Sequence, residues 1–158
     1  MPTDRSVLTA CLHDLFQGQL HAVLATADGG VPHASLVAFA ASPDLRRLVF
    51  TTARATKKFR NLEASGSVAL LIDNRTNTAS DVAEAMAVTV LGRAGEATGA
   101  EREQLLALLL ARHPGLADFA RAVDTAVVAV RVERYLLVDR FQRVGGGRTV
   151  HDADRVRV

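Results

Sequence analysis

The sequence predicts a mainly β protein with peripheral helices, an α+β chain built around an antiparallel β-barrel. Six or seven short β-branched or apolar runs follow one another through brief turns, which is typical of antiparallel strands joined as hairpins. Only three or four segments show helical periodicity, and they lie between or outside these runs. No repeat or linker divides the 158 residues, so we expect a single domain, 1–158, with a core of its own.

The first half of the chain predicts one helix and three strands. Apolar residues at helical spacing over 7–16 predict a first helix, capped by Thr3 or Asp4 and ended by Gly18. A strand is expected over 20–27. Two glycines after Asp28 predict a tight turn into a partner strand, which begins at Pro32 and continues through 35–41. A turn over 42–44 then leads to the third strand, 48–52.

The second half begins with a helix over 56–64 and a short buried strand over 68–72. A polar loop over 73–84 with a helical turn near Asp81 comes next, then a strand over 86–93. A leucine-rich helix over 99–112 is closed by a His-Pro-Gly sequence, and a helical turn follows over 116–122. Two further strands are expected over 125–137 and 138–144, and a charged, flexible tail over 148–158.

The stretch over 50–62 carries the main functional signal. A strand ends at Thr51 and Thr52, a polar turn follows, and the next helix begins at Thr56, Lys57 and Lys58. A helix start exposes unpaired N–H groups and the positive end of the helix dipole, so it suits a phosphate, and two lysines add cations. The alternative is that Thr56 is only an N-cap and that the lysines form a solvated face. The stretch alone does not decide between them.

Composition excludes several function classes. Lysine and arginine number 19 against 17 acidic residues, the basic residues are scattered and aromatics are few, so nucleic acid is not an expected partner. The histidines lack metal-ligand spacing, so no metal site is expected. Cys11 is the single cysteine and falls on an apolar helix face, which favours a core residue in a reducing compartment. With no signal peptide and no run long enough to span a membrane, we expect a cytoplasmic protein.

Six short patterns occur in a characteristic order: a strand ending in Thr, a Gly-Pro-type hairpin, a strand with small and hydroxyl residues, the Phe50-Thr51-Thr52 strand end, the Thr56-Lys57-Lys58 helix start and the Val68-Ala69-Leu70 strand. Together they resemble the pyridoxamine 5′-phosphate oxidase-like split-barrel flavoproteins. The resemblance is good over 19–73 and looser over 86–95 and 125–144. It implies that the barrel is a split β-barrel.

The resemblance also implies FMN bound at the interface of a homodimer, and an oxidoreductase that transfers electrons or hydride to a small substrate. The FMN phosphate would lie against Thr56, Lys57 and Lys58, with Thr51 and Thr52 beside it or beside the ribityl chain. The ring would lie along the backbone of Ser35, Leu36 and Val37, in a strand of small residues. Two loop residues, Asn74 and Arg75, would face the flavin from the same or the other subunit. Composition alone fits a tightly packed barrel strand equally well at 35–41.

Departures from the family pattern argue against pyridoxamine phosphate oxidation. Relatives with that activity carry Arg and Lys on the second strand and Gln after the loop, where this chain has Ser35, Ala40 and Ala87. The chain also lacks tryptophan and the Arg-Leu-x-Pro segment that grips the substrate. No side chain is identified as catalytic.

Three rival functions stay open. A deazaflavin or haem could occupy the same groove, since some split-barrel relatives bind haem through a C-terminal histidine and this chain has His151. A non-catalytic flavin-binding protein is the second, and a barrel that binds nothing is the third. The glycines before Arg148 lack the following Lys-Ser/Thr of a phosphate loop, which favours a flexible terminus.

Overall fold

Antiparallel strands form one curled sheet with helices on its outside, and a computed structural model describes them for residues 4–139 and 155–157. The predicted fold class, mainly β with peripheral helices, is confirmed. The helices are α1 Asp4–Gly18, α2 Lys57–Ala64, α3 Asp81–Glu84, α4 Gly99–Arg112 and α5 Ala117–Arg121, with a 3₁₀ turn at Pro114–Leu116. The strands are β1 His21–Asp28, β2 Val31–Ala38, β3 Ala40–Ala41, β4 Arg47–Ala53, β5 Ser67–Asp73, β6 Met86–Glu96, β7 Thr125–Asp139 and β8 Arg155–Arg157.

The strand order curls the sheet into an incompletely closed barrel. Neighbouring strands follow the order β2-β1-β5-β6-β7-β4-β3, and β8 pairs with β7 outside this path. The two ends of the path, β2 and β3, are separated in the chain by Phe39 alone, whose N–H donates to Leu20 O at 3.2 Å. One bent stretch of chain therefore pairs with β1 along its first part and with β4 along its second.

The turn chemistry accounts for two of the connections. Gly29 and Gly30 have φ values of +56° and +79°, the conformation that a two-residue hairpin loop between twisted strands requires. In the connection before β4, Asp44 accepts from the Ser42 hydroxyl at 2.6 Å. Leu45 there has φ +59°, and its carbonyl accepts from the buried Tyr135 hydroxyl at 2.6 Å. This hydrogen bond links Leu45, whose backbone is in the left-handed region, to β7.

Strand alternation divides the core into two parts. On β4, Leu48 and Phe50 point into the barrel with the inward residues of the other strands and the apolar side of α1, whereas Val49 points outward. Helix α4 covers the outside at β3, β4 and β7, where Leu105 and Leu109 pack against Val49. The next outward residue on β4, Thr51, lies beyond this covered region, and this position matters for the site.

Two predicted strand boundaries differ from the structure. The expected strand over 35–41 is broken at Phe39, whose fully buried ring packs edge-on against Phe16 at 5.7 Å between centroids. The expected break between strands at 137 and 138 was wrong, because β6 supplies partners for β7 up to Asp139. Residues 140–144, Thr3 and His151 lie outside the described residues. Of the predicted tail, the structure describes Arg155–Arg157, which pair with β7 as β8.

The remaining predicted elements agree closely with the structure, including α4, α2, β5 and a helical turn at Asp81. Cys11 is half-buried on α1. Within the part of the chain that the structure describes, none of the helices has the length and apolarity needed to cross a membrane.

Candidate functional site

A groove of about 300 Å³ lies where β2 and the end of β4 meet the start of α2, with α5 on its far side. We call it the α2 groove. Six of the ten residues predicted from the sequence line it, namely Leu36, Val37, Thr51, Thr52, Thr56 and Lys58. The structure thus brings the residues within 51–58 that are predicted to bind a phosphate next to β2, the strand along which a flat ring is predicted to lie.

The polar end of the groove begins with an N-cap. The Thr56 hydroxyl accepts from the Phe59 N–H at 3.3 Å and donates to Ala53 O at 2.9 Å, and it lies 2.9 Å from the Thr52 hydroxyl. The N-cap interpretation of Thr56 is therefore confirmed. It does not exclude an anion, because the first N–H groups of α2, at Lys57 and Lys58, have no acceptor within the helix. Thr56 fixes the direction in which those groups point.

The two lysines occupy different places. Lys58 is half-buried and lines the α2 groove, whereas Lys57 is exposed and does not line it. Among residues 4–139 and 155–157, neither ammonium group is paired with a carboxylate. Since the positive end of the α2 dipole lies at the same place, this end of the groove carries uncompensated positive charge.

The rest of the groove is apolar and open. Val37 is 5% exposed, but Leu36 is 68% exposed and Phe119 44%, so large apolar side chains face the solvent at the rim. In the described sheet β2 pairs only with β1, so its other edge presents unpaired backbone N–H and C=O groups. An apolar slot with backbone hydrogen-bond donors along one side suits a flat heteroaromatic ring.

Four predicted residues do not line the groove. Lys57 is one, as described above. Ser35 lies directly opposite the buried Leu24, so it faces the barrel interior, and its Oγ is buried without a hydrogen-bond partner in the described structure. Asn74 accepts from the Met86 N–H at 2.7 Å, and Arg75 Nε lies 3.3 Å from Asp73 Oδ1, so both make local contacts after β5. A role for either toward a flavin stays a prediction.

Sequence reasoning missed Ala38, Ala53, Leu116 and Phe119 as lining residues. Leu116 and Phe119 stand three apart, the spacing of one apolar helix face, and this was the available signal. It predicts that the turn over 116–122 packs on something, but not on what. The two alanines leave space rather than supply a contact.

The lining residues limit what the groove can do chemically. None of them is a histidine, cysteine, tyrosine, methionine or carboxylate. No group of three or more metal-binding side chains occurs among the described residues. The groove can thus hold and orient an anionic, partly flat molecule, and Lys58 is the one titratable side chain of its described lining.

Comparison with known proteins gives one family and a set of similar folds. Residues 8–139 match the family model described as pyridoxamine 5′-phosphate oxidase. No curated protein sequence matches the chain.

The similar solved structures include a haem-binding protein from Mycobacterium smegmatis, with TM-score 0.75 and 21% identity over 90% of this chain and 57% of that one. The chain thus spans little more than half of that protein. A haem storage protein from Vibrio cholerae has TM-score 0.70 and 18% identity over 84% of this chain and 94% of its own. An FAD-binding protein from Mesorhizobium loti has TM-score 0.62 and 16% identity over 78% and 88%. At these identities the likeness shows the fold.

Proposed function

Because the chain belongs to the pyridoxamine 5′-phosphate oxidase family, we propose that it is a flavoprotein that binds FMN in the α2 groove and passes electrons or hydride to a small substrate. One observation carries the proposal. The groove joins a cationic helix start to an apolar slot beside an unpaired strand edge, which is the combination that a phosphorylated flat ring needs.

In this proposal the phosphate binds at the start of α2. The N–H groups of Lys57 and Lys58 donate to it, the Lys58 ammonium adds a charge-assisted contact, and Thr51 adds a hydroxyl. The Thr51 hydroxyl has no partner among the described residues, so it is available to the phosphate or the ribityl chain. Thr52 and Thr56 hold the turn rather than bind.

The ring lies along Leu36–Ala38 in this proposal, with Leu116 and Phe119 covering the side away from β2. When bound, the flavin supplies the hydride and electron chemistry, and the protein supplies position and electrostatics. Lys58 is the one titratable side chain of the described lining, and the proposal gives it a contact to the phosphate rather than a proton-transfer role. Oxidation of pyridoxamine phosphate is not part of the proposal, given Ser35, Ala40 and Ala87.

A homodimer is part of the same proposal. Leu36 and Phe119 stand at the rim of the groove with much of their surface exposed. A second subunit placed over this rim would bury them and exclude water from the ring. Support for the dimer is this exposed apolar rim together with the family.

Haem is the second candidate, supported by the haem-related function of two proteins with a similar fold. Haem iron needs an axial ligand such as His, Cys, Met or Tyr, and the groove lining has none of these. The ligand would have to come from His151, which lies outside the described residues, or from another subunit. If His151→Ala leaves haem affinity unchanged, His151 is not that ligand.

The experiment is a titration of FMN into the full chain, followed by reduction with NADH or NADPH and reoxidation by oxygen. We expect saturable FMN binding that is mostly lost in the folded Lys57→Ala/Lys58→Ala variant. Bound flavin that turns over with either nucleotide supports an enzyme, and bound flavin that does not turn over supports a storage or carrier protein. FMN affinity unchanged in the double variant would overturn the placement of the phosphate.

A further inference from the structure

Three arginines lie side by side on the outer face of the sheet, away from the α2 groove. Arg131 on β7 is directly opposite Arg47 on β4 and also directly opposite Arg93 on β6. Directly opposed residues on neighbouring strands point to the same face with Cβ atoms about 5 Å apart. We call these three residues the arginine row.

The row is only loosely neutralised by the protein. Arg47 Nε lies 3.7 Å from Glu101 Oε2, and Arg93 Nε lies 3.7 Å from Glu133 Oε1. Both distances exceed the roughly 2.7–2.9 Å of a strong charge-assisted bond, and all four side chains are well exposed. Arg131, in the middle, has no carboxylate partner within the described chain. Like charges placed directly opposite one another destabilise a sheet, so the arrangement calls for a reason beyond folding.

The row borders a cleft rather than a flat surface. The cleft holds about 520 Å³, within the range of small-molecule sites, and small residues, Ala94, Gly95 and Ala129, form part of its lining. A ligand can therefore sit low enough for guanidinium groups on three adjacent strands to reach it from one side. Three carboxylates, Glu96, Glu101 and Glu133, also line the cleft, and Glu96 is neutralised by its ion pair with Arg54. Planar guanidinium forks suit phosphate and carboxylate groups, which they bind through paired hydrogen bonds.

We infer that the arginine row is a binding site for a small polyanion that carries phosphate or carboxylate groups. Arg131 is its centre, and Glu101 and Glu133 are the groups that an incoming oxyanion displaces from Arg47 and Arg93. Arg47 is four residues before Thr51 on β4, or roughly 13 Å at about 3.3 Å per residue, so the arginine row lies apart from the Thr51 end of the α2 groove. The site is independent of the FMN proposal.

The test uses pyrophosphate and citrate as probes in calorimetric titrations at low ionic strength. The parent is the full chain carrying Lys57→Ala and Lys58→Ala, which removes the competing phosphate site. We expect at least one probe to saturate, and which one does assigns phosphate or carboxylate chemistry. Adding Arg131→Gln should weaken binding about tenfold or more, since it removes a charge-assisted contact. Adding Glu133→Gln should tighten binding, because it frees Arg93.

Arg102→Gln is the matched control, because Arg102 pairs with Glu103 at 2.7 Å outside the cleft and its removal should leave the affinity unchanged. Without probe, Arg131→Gln should melt no lower than the parent, because it relieves repulsion. The proposal is overturned if neither probe saturates or if a folded Arg131→Gln variant binds as well as the parent. Weaker binding by Glu133→Gln, or a lower melting temperature for Arg131→Gln, would instead mark the row as a structural ion network.

Discussion

The two adjacent lysines at the start of α2 should contribute unequally to FMN binding. Lys58 lines the α2 groove and is half-buried, while Lys57 is exposed outside it. A hydrogen bond to a charged group is worth about 1.5–3 kcal/mol. Lys58→Ala should therefore weaken FMN binding about 10- to 150-fold at about 1.4 kcal/mol per factor of ten. Lys57→Ala keeps its backbone N–H at the phosphate and loses only a screened surface charge, so it should cost less than about threefold.

Riboflavin, which lacks the phosphate, supplies the internal control. Quenching of flavin fluorescence measures both ligands on the same protein samples. We expect riboflavin to bind the parent and both variants equally, because the ring slot along β2 is untouched. An equal loss of FMN affinity in the two variants would refute the unequal placement of the lysines. A loss of riboflavin affinity in Lys58→Ala as large as the loss of FMN affinity would refute a phosphate contact.

Three further predictions concern stability. Tyr135→Phe should lower the free energy of unfolding by about 1–3 kcal/mol, because it leaves the carbonyl of the left-handed Leu45 without its buried 2.6 Å donor. Urea unfolding measures this change. An unchanged free energy of unfolding would show that water replaces the hydroxyl. Gly92→Ala should lower the free energy of unfolding by about 1–3 kcal/mol, because its Cβ would lie 2.3 Å from a backbone oxygen of β7. In Gly95→Ala, on the same strand, the Cβ meets nothing within 4 Å, so the loss of stability should be far smaller. Equal losses of stability in the two variants would contradict this. The pKa of Asp81 is lowered from an ordinary 3.8, chiefly by a backbone hydrogen bond from Thr76 in the loop before α3. The ionised carboxylate therefore stabilises the loop above that value, and this stabilisation is lost as pH falls through the lower folded pKa. Proteolysis of the 73–86 loop should accelerate over that fall in pH, and in Asp81→Asn it should no longer depend on pH.

The sequence predicted the local elements well because each depends on neighbours in the chain. The two glycines of the first hairpin, the Thr56 cap and the apolar spacing of α4 are signals of this kind. The end of β7 could not be predicted in this way, since its length depends on partners that β6 supplies. The break at Phe39 likewise depends on a ring buried against α1.

The residues of the candidate site likewise divide into those placed by local signals and those placed by tertiary contacts. Thr51, Thr56 and Lys58 are placed by a strand end and a helix cap only a few residues apart, so the sequence could identify them. Leu116 and Phe119 reach the groove only because α4 returns the chain to the end of β4, which is a tertiary event without a local signature. Alternation along β2 turns Ser35 inward, and a one-residue difference in register would have reversed that outcome.

The most direct measurement is the visible spectrum of the freshly purified full chain, followed by the mass of the molecule released on denaturation. The proposal predicts flavin bands and the mass of FMN. A haem band or a deazaflavin mass would contradict FMN while leaving the split barrel intact. A colourless protein that does not bind added FMN would contradict the assignment of the α2 groove as a flavin site.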